Sequence, residues 1–178
     1  MTNSASTFSQ PLRSTTDYPI LADGDRMIRL AEEYCDLIEH LDPKDCAVCL
    51  GRMARLLPQL HAAIVHIPLP SPAAVELATP DFETRFELFS RLRQAIGEQD
   101  SYWLEYDQGN LEPSGSLADD FTDIYFDLKR GLELAQRGGL ERALADWKAS
   151  FQLHWGQHLV DAERQLYALC CRAQGICR

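Results

Sequence analysis

Apolar side chains recur at intervals of three and four residues along most of the chain, whereas the first 22 residues carry no such repeat. This period places the apolar side chains on one face of an α-helix. No window alternates apolar and polar residues as a half-buried strand does. The repeat predicts long helices over about 25–41, 42–64, 79–96, 116–138 and 140–170, and a short helix early in 97–115. Together these helices predict an all-α fold, a single-domain bundle of five to six mostly antiparallel amphipathic helices.

The ends of the elements carry their own signals. Residues 1–22 are rich in Ser, Thr and Asn, which predicts a disordered N-terminal tail followed by a helical domain over 23–178. Asp42 before Pro43 is typical of an N-cap followed by a first-turn proline. In the third helix, four apolar residues are expected on the buried side: Phe82, Phe86, Phe89 and Ile96.

The last two helices are expected to form a hairpin. Ser116 and Asp119 have the spacing of a capping box, so the fourth helix should begin there. The pair Gly138-Gly139 predicts its end. The fifth helix is expected to run without interruption to Cys170.

Charge and composition narrow the classes of partner. Lys and Arg number 17 against 27 Asp and Glu, which gives a formal charge of −10. An acidic surface repels nucleic acid and anionic lipid, so neither is an expected partner. The first residues lack the apolar core of a signal peptide, and no apolar run has the length of a membrane helix. We expect a soluble, cytoplasmic protein.

Six cysteines offer a first candidate for chemistry. Cys46 and Cys49 have the C-x-x-C spacing of zinc and redox sites. They fall inside an amphipathic helix, however, and Cys35 borders the apolar stripe of the helix before it. We therefore interpret them as buried thiols. A zinc site would need a contribution from the C-terminal cysteines, which are Cys170, Cys171 and Cys177.

A group of carboxylates and imidazoles is the stronger candidate. Asp120, Asp123 and Asp127 recur at helical spacing, and like charges so spaced repel one another unless they have partners. His154 and His158 lie on the apolar face of the last helix. Equal distances from the glycine turn place Asp120 level with His158, so these two are expected to be direct neighbours.

Three interpretations of this group remain open. A buried His–Asp pair that fixes helix register is the first. The second is a divalent-metal or small-ligand site, since bundles build such sites from facing helices. The third is an acid/base pair. Trp103 and Trp155 are candidates for an aromatic surround, although core packing under a loop is the favoured interpretation of Trp103.

The chain also resembles a known family. The segment GSLADDFTDIYFDLKRGL over 115–132, together with Phe151 and HWGQH over 154–158, resembles the bacterial family known as domain of unknown function 5063. Segments 31–39 and 56–60 are similar to its N-terminal half. The family has no assigned function. The resemblance directs attention to Ser116, Asp119, Asp120, Asp123, Asp127, His154, Trp155 and His158.

Two functional hypotheses follow. The first is a non-catalytic protein-interaction or adaptor domain whose acidic surface recognises an unknown protein partner. The alternative is a domain that binds a divalent metal or a small ligand through the His–Asp group. A hydrolase activity is one that such a domain could have. A divalent metal is the only cofactor that the sequence suggests.

Overall fold

The computed structural model describes residues 17–68, 81–104 and 114–175. Within these residues the helices are α1 (Asp17–Glu39), α2 (Cys46–His66), α3 (Phe82–Ile96), α4 (Leu117–Gly138), α5 (Leu140–Ser150) and α6 (Gly156–Ala173). The predicted all-α fold is confirmed. A two-stranded antiparallel sheet, which was not predicted, pairs β1 (Ser101–Tyr102) with β2 (Gly115–Ser116). Strands of two residues are too short to show an alternating pattern.

The N-terminal boundary differs from the prediction. α1 begins at Asp17, inside the segment 1–22 that was predicted to be disordered. Pro19 falls in the first helical turn, where a missing N–H costs no hydrogen bond. Residues 1–16 lie outside the described residues, so a disordered tail there stays a prediction.

Short turns determine where α2 begins and where α4 ends. The Asp42 side chain accepts from the backbone N–H of Lys44 at 2.8 Å, as its position before Pro43 predicts. A 3₁₀ turn over Pro43–Asp45 then leads into α2. The expected end of α4 is also confirmed, since Gly139 has a positive φ of 86°.

Helix α4 lies against α1, α3, α5 and α6. The buried Tyr34 hydroxyl of α1 donates to the Phe121 carbonyl at 3.0 Å, and Trp147 of α5 donates to the Leu128 carbonyl at 3.1 Å. Successive residues along α5 and α6 contact successively earlier residues of α4. The hairpin that these helices form with α4 is therefore antiparallel, as expected. Among the described helices, none combines the length and apolarity needed to cross a membrane.

The buried face of α3 matches the prediction only in part, since Ile96 is buried and Phe89 packs against the core as expected. Phe82 is 75% exposed and Phe86 is 69% exposed, whereas Leu92 and Ile96 are buried. The reason is that only the C-terminal half of α3 packs into the core. Nearer its N-terminus, α3 meets α4 through the charged side chain of Arg85.

The last helix is interrupted rather than continuous. A π-helical turn over Phe151–Trp155 separates α5 from α6. Buried positions in this region show why, because Ser150 and Trp155 are five residues apart instead of three or four. The wider turn keeps the buried faces of both helices on the core. At Gly156 a Cβ would lie 2.3 Å from the Phe151 carbonyl oxygen, so the turn requires glycine there.

Replacing Gly131 with alanine is expected to destabilise the fold. A Cβ at this position would lie 2.0 Å from Nε1 of Trp147, which is fully buried. Overpacking of this kind costs about 1–3 kcal/mol of unfolding free energy. Gly51→Ala is the matched control, because its Cβ would meet only the Arg55 side chain at 4.0 Å. Urea unfolding should show the control unchanged or more stable by up to about 1 kcal/mol. Equal stability of the two variants would contradict the packing argument.

Candidate metal centre

Helix α4 and the π-turn–α6 segment bring the predicted carboxylates and imidazoles together. Nδ1 of His158 lies 2.9 Å from Oδ1 of Asp120, and Nδ1 of His154 lies 2.7 Å from Oδ2 of Asp127. The expected contact between Asp120 and His158 is therefore confirmed. Two His–Asp pairs lie side by side, and the two imidazole centres are 5.2 Å apart.

A third carboxylate lies between the two imidazoles. Oδ2 of Asp123 is 3.2 Å from Nε2 of His158 and 3.9 Å from Nε2 of His154. One ligand atom from each of these residues lies within 4.8 Å of the others. Because an ionised carboxylate only accepts, each imidazole donates from Nδ1, and in its neutral form it keeps a lone pair on Nε2.

The buried carboxylate of Asp120 has a second donor. The Tyr102 hydroxyl of β1 donates to Oδ2 of Asp120 at 2.5 Å. Burial raises the pKa of Asp120, while the hydrogen bonds from His158 and Tyr102 oppose that rise. The role of Tyr102 was not predicted, because its segment has weak periodicity and β1 pairs with a distant segment of the chain.

Asp127 is joined to a further buried carboxylate. Nη2 of Arg130 lies 2.8 Å from Oδ1 of Asp127, and Nε of Arg130 donates to Oδ2 of Asp146 at 3.0 Å. Burial raises the pKa of Asp146, and Arg130 opposes that rise. Arg130 and Asp146 were not predicted. The detectable signal was an aspartate next to Trp147 on the buried side of α5.

Arg85 of α3 contacts the central carboxylate through the oxygen that does not face the imidazoles. Nη2 of Arg85 pairs with Oδ1 of Asp123, which leaves Oδ2 directed at the imidazoles. The guanidinium carbon also lies 4.9 Å from the ring centre of Phe126. The sequence did not reveal this contact, since α3 and α4 are separated by a long connection.

The start of α4 is held by two caps. Ser116 accepts from the backbone N–H of Asp119 at 3.3 Å, which confirms Ser116 as the N-cap, while the reciprocal bond of Asp119 in a capping box stays a prediction. Asp119 itself is exposed and lies outside the two His–Asp pairs. The buried Asp100, which was not predicted, accepts from the N–H of Ala118 at 2.7 Å and from the Ser116 hydroxyl at 2.9 Å. These bonds fix the helix turn that carries Asp120.

The two predicted aromatic residues differ in burial. Trp155 is fully buried and donates from Nε1 to the Ser150 hydroxyl at 3.0 Å. Its ring centre lies 4.9 Å from that of Phe151, directly beneath the π turn that carries His154. Trp103 is 49% exposed, so its interpretation as a core residue is wrong, and its place in an aromatic surround stays a prediction.

The cysteines that the structure describes contribute no donor to this group. Cys35, Cys46 and Cys49 are buried, and burial raises the pKa of each thiol, that of Cys35 to about 12. Thiols of raised pKa are poor nucleophiles and poor metal ligands. Cys171 is buried and Cys170 half-buried on α6, and Cys177 lies outside the described residues.

Stability of the metal-free protein is expected to fall as the pH rises above 6.5. Burial lowers the pKa of His158, but the hydrogen bond and charge of Asp120 outweigh burial, so the pKa lies above the ordinary 6.5. A raised pKa means that the folded protein binds the proton more tightly than the unfolded chain. The resulting stabilisation is complete below pH 6.5 and is lost as the pH rises through the raised value.

Urea unfolding in a chelating buffer across this range measures the effect. His158→Gln removes the titrating group, so the slope above pH 6.5 should flatten in that variant. His66→Gln is the control, because His66 is exposed on α2 and contacts only a local backbone carbonyl. A wild-type stability that rises over this range would contradict the prediction.

Comparisons with known proteins agree with this architecture. A family described as domain of unknown function (DUF5063) matches residues 24–172. The crystal structure of protein BF1032 from Bacteroides fragilis is similar, with a TM-score of 0.68 and 22% identity, over 83% of this chain and 94% of that chain. At that identity the likeness shows the fold alone. No curated protein matches the chain. Because the family match spans most of its length, the chain belongs to the DUF5063 family.

Proposed function

We propose that this protein binds one divalent transition-metal ion through Asp123, His154 and His158. The observation that carries the proposal is the convergence of one carboxylate oxygen and two imidazole nitrogens within 4.8 Å. Two histidines and one carboxylate form a common open metal site, as in the facial triads of non-haem iron proteins.

The surroundings of the two imidazoles support the proposal. A histidine that binds a metal through one ring nitrogen usually donates from the other to a carboxylate, which fixes the ring and raises its basicity. Here Asp127 and Asp120 accept from Nδ1 of His154 and His158. Both Nε2 atoms are thereby directed towards Asp123.

Charge balance gives a second line of support. Four carboxylates, those of Asp120, Asp123, Asp127 and Asp146, are offset by two guanidiniums, those of Arg85 and Arg130. With neutral imidazoles the cluster carries two excess negative charges, which one divalent cation would neutralise. Protonation of both imidazoles would neutralise it equally well. This is the purely structural alternative, and the experiment below separates the two.

The donor set indicates which ions to test. Imidazole ligands suit zinc, iron, cobalt and nickel, whereas magnesium, calcium and manganese prefer oxygen ligands, so manganese is expected to bind most weakly of the ions tested. Three protein ligands also leave positions for water or another ligand. His154 is 45% exposed, so an ion bound here would be reachable from solvent. The site thus has the openness that a hydrolytic or ligand-binding metal centre requires.

Metal analysis of untagged protein tests the proposal. Elemental analysis, followed by calorimetric titration of the chelator-treated protein with manganese, iron, cobalt, nickel and zinc, should give one ion per chain. Asp123→Asn, His154→Ala and His158→Ala should each weaken binding by roughly 10- to 100-fold or more. Two controls, Glu133→Gln on the exposed side of α4 and His66→Ala, should leave affinity unchanged.

Two results would overturn the proposal. One is that no ion of the series binds more tightly than about 1 mM. The other is that the site variants and the controls bind the ion equally well, which would place it elsewhere on the chain. The hypothesis of a protein-interaction domain stays a prediction.

A further inference from the structure

We infer that the metal site takes an oxyanion, the phosphate or carboxylate group of a small molecule, and that Arg85 recognises it. The inference rests on the proposed function and adds the class of ligand. Its basis is that a guanidinium contacts the same carboxylate, Asp123, that is proposed to bind the ion.

The placement of Arg85 in α3 is unusual for a charged residue. The face of α3 that carries Arg85 continues at three- and four-residue steps through Leu88, Leu92 and Ile96. These three residues pack on or within the core. Phe86, one residue further along, is 69% exposed. A charged side chain thus occupies the core-facing stripe while a phenylalanine faces solvent, and the charged side chain lies against Asp123.

The guanidinium is held in a fixed orientation. It lies over the ring of Phe126, 4.9 Å from the ring centre, and pairs through Nη2 with Oδ1 of Asp123. A guanidinium carries five N–H donors in a planar fork, and one carboxylate oxygen engages only part of it. The Arg85 side chain is 23% exposed, so part of it meets solvent, and recognition of the oxyanion requires that a free N–H of the fork lies there.

Charge at the open side of the site favours an anion. The ion balances the buried carboxylates overall, but locally the ion and the guanidinium would place three positive charges around Asp123, and the nearby carboxylate of Asp119 is exposed and screened by solvent. The other carboxylates of the pairs, Asp120 and Asp127, are buried and engaged by the imidazole Nδ1 atoms. An oxyanion can fill a free metal position through one oxygen and accept from a guanidinium through another. A cationic or purely apolar ligand would gain neither interaction.

Cobalt(II)-loaded protein provides the test, because the visible absorption of cobalt responds to a ligand that enters its coordination shell. Inorganic phosphate and benzoate are the two probes, each followed by absorption and by calorimetry. We expect at least one to bind the wild type, and Arg85→Gln to weaken that binding by at least about tenfold. Arg137→Gln, which removes the same charge from an exposed position on α4, should leave it unchanged. The preferred probe identifies the oxyanion as phosphate or carboxylate.

Cobalt affinity separates recognition from mere orientation of Asp123. If Arg85 only held the carboxylate in place, Arg85→Gln would weaken cobalt binding. If Arg85 recognises the oxyanion, cobalt binding should be unchanged or tighter, because a neighbouring positive charge has gone. Arg85→Lys keeps the charge but loses the fork, so an intermediate loss of oxyanion affinity is expected, and this variant serves if Arg85→Gln does not fold.

The outcomes are distinguishable. Cobalt binding without a response to either anion, or equal anion affinity in wild type and Arg85→Gln, overturns this inference and leaves the metal site standing. Failure of the wild type to bind cobalt overturns the proposed function and this inference with it.

Discussion

Saturation with cobalt or nickel is expected to raise the melting temperature of the wild-type protein by roughly 10 °C. An ion at about 1,000 times its dissociation constant stabilises the folded state by about 4 kcal/mol, and 1 kcal/mol shifts the melting temperature of a domain this size by about 2–4 °C. The physical reason is that the ion offsets the excess negative charge of carboxylates that folding has buried. Differential scanning calorimetry with and without the ion measures the shift.

Variants show whether the shift comes from the proposed site. His158→Ala should cut the shift by at least about a third, because a site weakened roughly 10- to 100-fold retains only about 1.4–2.7 kcal/mol of stabilisation at the same ion concentration. The variant lacks one proposed ligand and leaves Asp120 without its imidazole partner. Glu133→Gln removes a carboxylate from the same helix, but an exposed one that is paired with Arg137, and should keep the full shift. If His158→Ala lowers the melting temperature without metal and neither protein responds to the ion, the cluster is an ion-pair network that fixes helix register.

Helix periodicity predicted the architecture well, and its errors have identifiable causes. Stripes of apolar residues located the long helices because burial repeats with the helical period. Phe82 and Phe86 were misassigned because aromatic character was taken as evidence of burial, although the core-facing stripe of α3 runs through Arg85 and Leu92. The π turn was missed because one five-residue step, from Ser150 to Trp155, is hidden in a stripe of otherwise regular spacing.

The candidate site was predictable where it depends on a single hairpin. In two antiparallel helices joined by a tight glycine turn, residues equally far from the turn lie at the same level along the helix axes. Asp120 was therefore correctly placed beside His158. Tyr102, Arg85 and Asp146 complete the site from other elements. Pairing of distant segments and the packing angle of α3 determine the first two contacts, and no local pattern encodes either.

Arg130→Met is expected to lower the free energy of unfolding by about 3 kcal/mol, which is the lower end of the range for breaking a buried ion pair. Arg130 is 31% exposed, but its two partners, Asp127 and Asp146, have side chains only 5% and 6% exposed. Methionine keeps the length of the aliphatic chain, so the loss measures the two stranded carboxylates and not a cavity. Urea unfolding at neutral pH gives the value.

A second substitution shows where that energy resides. In Arg130→Met/Asp146→Asn one of the stranded charges is neutral, so part of the lost stability should return. Arg137→Met on the same helix is the control, because Arg137 is 79% exposed and its ion pair contributes at most about 0.5 kcal/mol. Equal stability of Arg130→Met and Arg137→Met would mean that the buried carboxylates do not need the guanidinium, and the charge-balance argument for a divalent ion would then lose its basis.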